Sequence, residues 1–121
     1  MDVTILNTSD KPIYQQLYEQ ISAQIMRGEL ASDSCLPPIR TVAAELRISV
    51  ITVKKAWDEL ERRGFIYTMT GKGCFVAPFH PNELDDKRTE IVEARIKKDV
   101  ADYKELGLSL DEIKKLFEKL Y

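Results

Sequence analysis

Three groups of residues in this chain have the types and spacing to grip a polyanion. Arg40 projects from an otherwise apolar stretch. Ser49, Val50, Ile51, Thr52, Lys54 and Lys55 follow close behind it, and Thr70-Gly71-Lys72-Gly73 comes last. Cations neutralise phosphate oxygens, while hydroxyls and small branched side chains fit base edges, including the thymine methyl. A lysine between two glycines lets the backbone approach a phosphate closely and leave a charge there. Taken singly, each group has a plainer reading as a solvated helix face or an ordinary hairpin tip. Their succession within one short segment favours the nucleic-acid reading.

Other chemistry is thinly provided for. The single His80 and the two cysteines, Cys35 and Cys74, are too few for a zinc site, a His-centred triad or a disulfide scaffold. Acidic pairs such as Asp58-Glu59 and Asp85-Asp86 read as solvated faces. No phosphate loop, HExxH or nucleophile elbow occurs. The expectation is therefore a protein that is no enzyme and has neither metal nor cofactor. In a cytosolic protein the two thiols are expected to be reduced. The alternative is a redox-sensitive pair, neighbours across a small sheet of the Cys35 segment and the strand holding Cys74.

Length and charge fit this reading. The chain has 121 residues, 44% of them hydrophobic, enough for one domain or a small domain with an appendage. It has no apolar run long enough to span a membrane and no basic-then-apolar leader, so a cytoplasmic protein is expected. The net charge of −2 argues weakly against a nucleic-acid partner, but its distribution does not. Residues 38–76 hold seven Lys/Arg against four Asp/Glu, and residues 79–121 hold nine against eleven. The middle of the chain is the anion-facing part.

The element that must position these residues runs from Ser49 to Gly64. Ser49 is a good N-cap, and Gly64 sits where a helix end needs left-handed backbone. Val53, Ala56, Trp57 and Leu60 recur at i, i+3, i+4 and i+7 and share one buried face. Val50 and Ile51 follow the cap directly, and not both can point into one core. Upstream, Val3 to Leu6 reads as an extended arm, and a helix runs from about Pro12 to Arg27 with Leu17, Ile21 and Ile25 as its stripe. Cys35-Leu36 is a candidate short strand. Pro38 opens a helix to Leu46 whose apolar side is Val42, Ala43 and Leu46, and a tight connection then leads into the Ser49 helix, a helix-turn-helix layout. After Gly64 the period changes to two. Phe65–Met69 and Cys74–Ala77 read as a hairpin, the wing of a winged helix.

Pro78 to Pro81 marks a boundary, giving domains at 10–78 and 79–121. The second holds a helix from about Asn82 to Leu106, with Ile91, Val92, Ile96, Val100 and Tyr103 on its stripe. Leu106-Gly107-Leu108 ends it, and Ser109 with Glu112 forms a capping box. A last helix aligns Leu110, Ile113, Leu116, Phe117 and Leu120. Two helices this short cannot bury such stripes alone, so they must pack on the first domain, on a second copy of the chain or on both, and dimerisation through these ten residues is the expectation.

Gly28-Glu-Leu30, Leu36-Pro37-x-x-Arg40-x-x-Ala43-x-x-Leu46, Thr52-Val53-x-x-Ala56-x-x-x-Leu60, Gly64-Phe-Ile and Gly71-Lys-Gly-x-Phe-Val76 occur in order at tight spacing. Together they closely resemble the winged-helix domain of the GntR superfamily of bacterial transcriptional regulators, across residues 12–77. The opening Pro12-Ile-Tyr-Gln-Gln-Leu17 and the short tail resemble the YtrA-like subfamily. The resemblance implies a mainly α fold with a small β wing and a two-helix dimerisation hairpin. It implies a homodimer on two-fold-symmetric double-stranded DNA, repressing its own operon, often one with an ABC transporter. It also implies that Arg40, the turns Ser49 to Lys55 and the wing tip Thr70 to Gly73 meet the DNA. Three positions depart from the family: Pro38 replaces a cap Ser, Val50 replaces an Arg that reads guanine, and Asp33 replaces a loop Gly. The alternative is a winged helix used only for protein contacts. Acidic replacements of Arg40, Lys54 and Lys72 would mark that reading, and none is present. No residue pattern defines a small-molecule effector.

Overall fold

A computed structural model of the chain describes residues 1–79 and 81–121, so His80 lies outside the described residues. The elements are α1 (Ile13–Met26), α2 (Ile39–Leu46), α3 (Val50–Arg62), β1 (Ile66–Met69), β2 (Gly73–Val76), α4 (Pro81–Glu105) and α5 (Leu110–Leu120). The chain divides into two compact units, Met1–His80 and Pro81–Tyr121. The mainly helical fold with a two-stranded wing agrees with the sequence reading.

Helix α3 is the hub of the first unit and packs on α1, α2 and β1. Its inner face is Val53, Ala56, Trp57 and Leu60, all buried. Against it lie Leu17, Ile21 and Ile25 of α1, Val42 and Ala43 of α2, and Phe65, Ile66 and Val76 of the wing. Full burial of each large apolar side chain is worth about 1.5–3 kcal/mol. The hub ends at Gly64, whose φ of +79° turns the chain sharply. There the Phe65 N–H donates to the Leu60 carbonyl at 2.8 Å, feeding the wing directly from the helix end. Pro12 and Pro38 lie one residue earlier than expected. Both take extended cap geometry and have no side-chain capping bond, because proline has no polar group to offer.

The extended arm does not run free. Glutamines at three successive i+4 positions of α1 bind its backbone. Gln16 accepts from the Leu6 N–H at 2.8 Å and donates to the Leu6 carbonyl at 3.0 Å. Gln20 does the same for Thr4 at 2.9 and 2.7 Å, and Gln24 donates to the Asp2 carbonyl at 2.6 Å. The periods match. Four helical residues rise about 6 Å, and two extended residues rise about 6.6 Å.

The wing pairs antiparallel in the register Ile66↔Val76, Tyr67↔Phe75, Thr68↔Cys74 and Met69↔Gly73. The segment before α2 joins its outer edge. Cys35 bridges to Phe75, the Leu36 N–H donates to the Cys74 carbonyl at 2.8 Å, and Asp33 and Ser34 exchange bonds with Val76. This register corrects the proposed thiol pair. Cys35 lies opposite Phe75 and shares its face, while Cys74 shares the other face with Thr68. Side chains alternate strictly along a strand, so adjacent registers send the two thiols to opposite sides. Both cysteines are free.

In the second unit α4 ends in a left-handed Gly107, and the Leu108 N–H reaches back to the Tyr103 carbonyl at 3.0 Å. Ser109 and Glu112 form the full capping box that starts α5. Helix α5 buries no residue of its own.

The end of α3 carries a three-way ion pair. Glu59 accepts from Arg62 and from Arg63, each at 2.7 Å. The Arg62 hydrogen bond, then that of Arg63, holds the Glu59 carboxyl down at about 2, against an ordinary 4.5. A carboxyl whose folded value is depressed contributes stability that is present above its unfolded value and lost as pH falls through the folded one. The stability gap between the wild type and Glu59→Gln should therefore be constant above about pH 5 and close between about pH 4.5 and 2. Urea unfolding across that range measures it.

Candidate nucleic-acid interface

The candidate interface is built on the start of α3. The Ser49 hydroxyl accepts from the Thr52 N–H at 3.0 Å, and its oxygen lies 2.7 Å from the Thr52 hydroxyl. The cap thus fixes two of the expected contact residues to each other and leaves lone pairs on both oxygens. Val50 and Ile51 come next, and neither enters the core. Ile51 is 81% exposed. An isoleucine left in water at the tip of a helix is uncompensated within the chain. It fits a surface that closes over it, as a thymine methyl would.

The cations differ in how they are held. Lys54 pairs with Asp58 at 3.1 Å, with both side chains more than half exposed. Lysine preceding an acid is the weaker helical order, and such surface pairs are worth about 0–1 kcal/mol. Lys54 can exchange this partner for a phosphate at little cost. The ammonium of Lys55 sits 4.0 Å from the centre of the Tyr14 ring, which ties it to α1. Arg62 and Arg63 are held by Glu59. Arg40, in the first turn of α2, and Lys72, at the wing tip, are exposed and make no ion pair among the described residues.

The wing tip is as compact as its glycines imply. Met69 pairs with Gly73, and the Lys72 N–H closes the turn on the Met69 carbonyl at 2.9 Å. Gly71 and Gly73 have φ of +79° and +115°. A side chain would be strained at either. Thr70, Gly71, Lys72 and Gly73 are all exposed.

The expected contact residues thus fall on three places in one unit: the α2 start, the α3 start and the wing tip. Two features went unread in the sequence. Tyr14, on α1, seats Lys55 of another helix, which no spacing within either helix announces. Arg47, at the end of α2, has a φ of +56°. Asp58 lies four residues after Lys54, the one available signal for that pairing.

The other expected set lies in the second unit. Val92, Ile96, Val100, Leu110, Leu116, Phe117 and Leu120 are exposed, while Ile91, Tyr103 and Ile113 are half-buried. A cleft of about 400 Å³ opens at the elbow, lined by Tyr103, Leu108, Ile113, Leu116, Phe117 and Leu120.

The sequence pattern of the bacterial regulatory proteins of the gntR family matches residues 13–76, which spans α1 to the end of the wing. The chain belongs to the gntR family. It is 36% identical to the uncharacterized HTH-type transcriptional regulator YhcF of Bacillus subtilis (strain 168), over 87% of this chain and 86% of that protein. It is 28% identical to the HTH-type transcriptional repressor YtrA of the same organism, over 87% and 81%. A solved structure titled as a transcriptional antiterminator from Listeria monocytogenes EGD-e matches 99% of this chain and 90% of its own, with a TM-score of 0.76 at 33% identity.

As a gntR-family member with a YtrA-like layout, the chain is a DNA-binding transcriptional regulator and not an enzyme. Against that family the three departures have physical outcomes. Pro38 leaves α2 without a side-chain cap. Val50 presents an exposed branched apolar surface where the resemblance leads to the expectation of an arginine. Asp33 does adopt left-handed backbone, at φ +61°, and its carboxylate accepts from the Tyr67 hydroxyl at 2.8 Å. The Ser49 cap is the feature on which the α3 start depends. Ser49→Ala should cost about 1 kcal/mol of stability in urea unfolding, because it orphans the Thr52 N–H.

Proposed function

We propose that this chain is a cytoplasmic homodimeric repressor of its own operon. The observation that carries the DNA-contact assignment is the start of α3. Exposed Val50 and Ile51 lie beside the Ser49 and Thr52 hydroxyls, and Arg40 and Lys72 in the same unit have no acidic partner among the described residues. In this reading the first turns of α3, Ser49 to Lys55, enter a major groove. Arg40 meets bases or phosphates, and Thr70 to Gly73 lay the wing on the backbone. Residues 10–78 are the DNA-binding domain and residues 79–121 the dimerisation tail.

The tail's stripes support self-association. Helix α5 buries none of its own residues, and Leu110, Phe117 and Leu120 are all more than half exposed. Covering such surface is worth about 25 cal/mol per Å². A two-fold dimer would set two α3 helices about 34 Å apart or a multiple of it, on an operator with matching symmetry. Likeness to the repressor YtrA supports repression, by occupying the promoter. The YtrA-like resemblance supports an operon that holds this gene together with an ABC transporter.

Footprinting on DNA upstream of the chain's own gene should protect a two-fold-symmetric site; the absence of any footprint there removes the self-regulation. In gel-shift titrations at fixed salt, Arg40→Ala should lose about 1–3 kcal/mol of operator affinity. Lys72→Ala should weaken specific and random duplexes alike and flatten the salt dependence by about one unit. For assembly, light scattering should find the full chain a dimer and a chain ended after His80 a monomer. That cut keeps Phe79, whose ring lies 6.1 Å from Phe65. If both chains have the same oligomeric state at tens of micromolar, the tail is not the dimerisation element.

A further inference from the structure

Two non-glycine residues take left-handed backbone among the described residues, Asp33 at φ +61° and Arg47 at φ +56°. Asp33 has local reasons. Aspartate tolerates this region, its N–H donates to the Val76 carbonyl at 2.8 Å, and its carboxylate holds Tyr67. Arg47 has none of these. It is the C-cap of α2, where its N–H and that of Ile48 turn back to the Ala44 and Ala43 carbonyls at 3.4 and 3.0 Å. Those are backbone bonds, which a glycine would make equally well without the steric cost of a Cβ. The Arg47 side chain is exposed and makes no hydrogen bond, ion pair or ring contact among the described residues. The cap accounts for the left-handed backbone but not for an arginine there, and a non-glycine residue held in that region is a pointer to function.

Charge pairing around it supplies the second observation. Of the cations between residues 38 and 76, Arg62 and Arg63 sit on Glu59, Lys54 on Asp58 and Lys55 over Tyr14. Arg40, Arg47 and Lys72 have no acidic partner among the described residues. Arg47 stands two residues before the Ser49 cap of α3. The first turn beyond that cap, Val50, Ile51 and Thr52, carries no charge. Lys54 is the first cation of α3, and it is already paired.

We infer that Arg47 is a further DNA-binding residue, donating from the helix-turn-helix turn to a backbone phosphate beside the groove that α3 enters. A side chain is retained at a glycine-suited position because it brings a cation to the otherwise uncharged tip of α3. A phosphate is the natural target, since a guanidinium donates two parallel bonds to it. The inference rests on the DNA-contact reading of the α3 start given above.

The test uses the full-length protein with two probes, the duplex upstream of its own gene and a random-sequence duplex of equal length. Arg47→Gly relieves the left-handed strain and should melt at the wild-type temperature or above it. It should nevertheless bind both duplexes about tenfold more weakly, with a salt dependence flatter by about 0.9. Arg47→Lys should keep the wild-type salt dependence. Arg47→Gln keeps a side chain without the charge, so it carries the same test if the glycine variant is less stable. Wild-type affinity and salt dependence in both neutral variants would overturn the role of Arg47 and leave the DNA-contact reading standing. Failure of the wild type to bind either duplex would overturn that reading, and this inference with it.

Discussion

The inner face of α3 is the constraint on which the first unit depends. Val53, Ala56, Trp57 and Leu60 are buried against α1, α2 and the wing. A helix has one such stripe, so fixing it fixes the direction of every other side chain. With Val53 and Ala56 inward, Ile51 must point out, and the Ser49 cap decides which residue is first in the helix. The same face sets the wing, because Phe65 follows the helix end directly and is buried beside Leu60. The candidate contact surface is therefore the outward complement of a core, with Ser49 and the wing-tip glycines shaped by local backbone bonding.

What was legible in the sequence follows from this. Periodicity reports burial, so the α3 stripe, the α1 stripe and the wing could be read from residue spacing. Caps report local backbone, so Ser49, Gly64 and the Ser109–Glu112 box were legible too. Features outside both signals were missed. The Gln16–Gln20–Gln24 ladder looks like any polar helix face until an extended arm lies against it. The seat of Lys55 on Tyr14 joins two helices, and no spacing within one helix announces it. Arg47 is hardest to find, because its position asks for a glycine that the sequence does not contain. The thiol pair failed by a single register step. The composition placed Cys35 and Cys74 on adjacent strands correctly, but the face each one occupies depends on odd or even alignment.

The two units leave different kinds of surface unsatisfied. In the first, the core is closed and what remains is charge, with Arg40, Arg47 and Lys72 without acidic partners among the described residues, beside the exposed Val50 and Ile51. In the second, Gly107 closes the end of α4, the Ser109–Glu112 box starts α5, and what remains exposed is a row of large apolar side chains on α5. Uncompensated charge costs little in water and gains strongly against a polyanion. Uncovered leucine and phenylalanine gain only when another apolar surface excludes the water between them. A polyanion therefore suits the first unit and a protein surface the second.

The net charge of −2 would, taken alone, argue against a nucleic-acid partner. Totals are the wrong measure, because exposed charges are screened beyond about 8–10 Å at physiological salt. What a phosphate meets is the local field, and that depends on which acids are already engaged. Glu59 is saturated by Arg62 and Arg63, and Asp58 is occupied by Lys54. Two of the four acids between residues 38 and 76 are thus cancelled where they stand. The Lys54–Asp58 pair is also weak enough to open, which frees a cation near the start of α3 when a stronger anion competes for it. Of the acids of α3, Asp58 and Glu59 therefore do not oppose a polyanion. They hold Lys54, Arg62 and Arg63 in place.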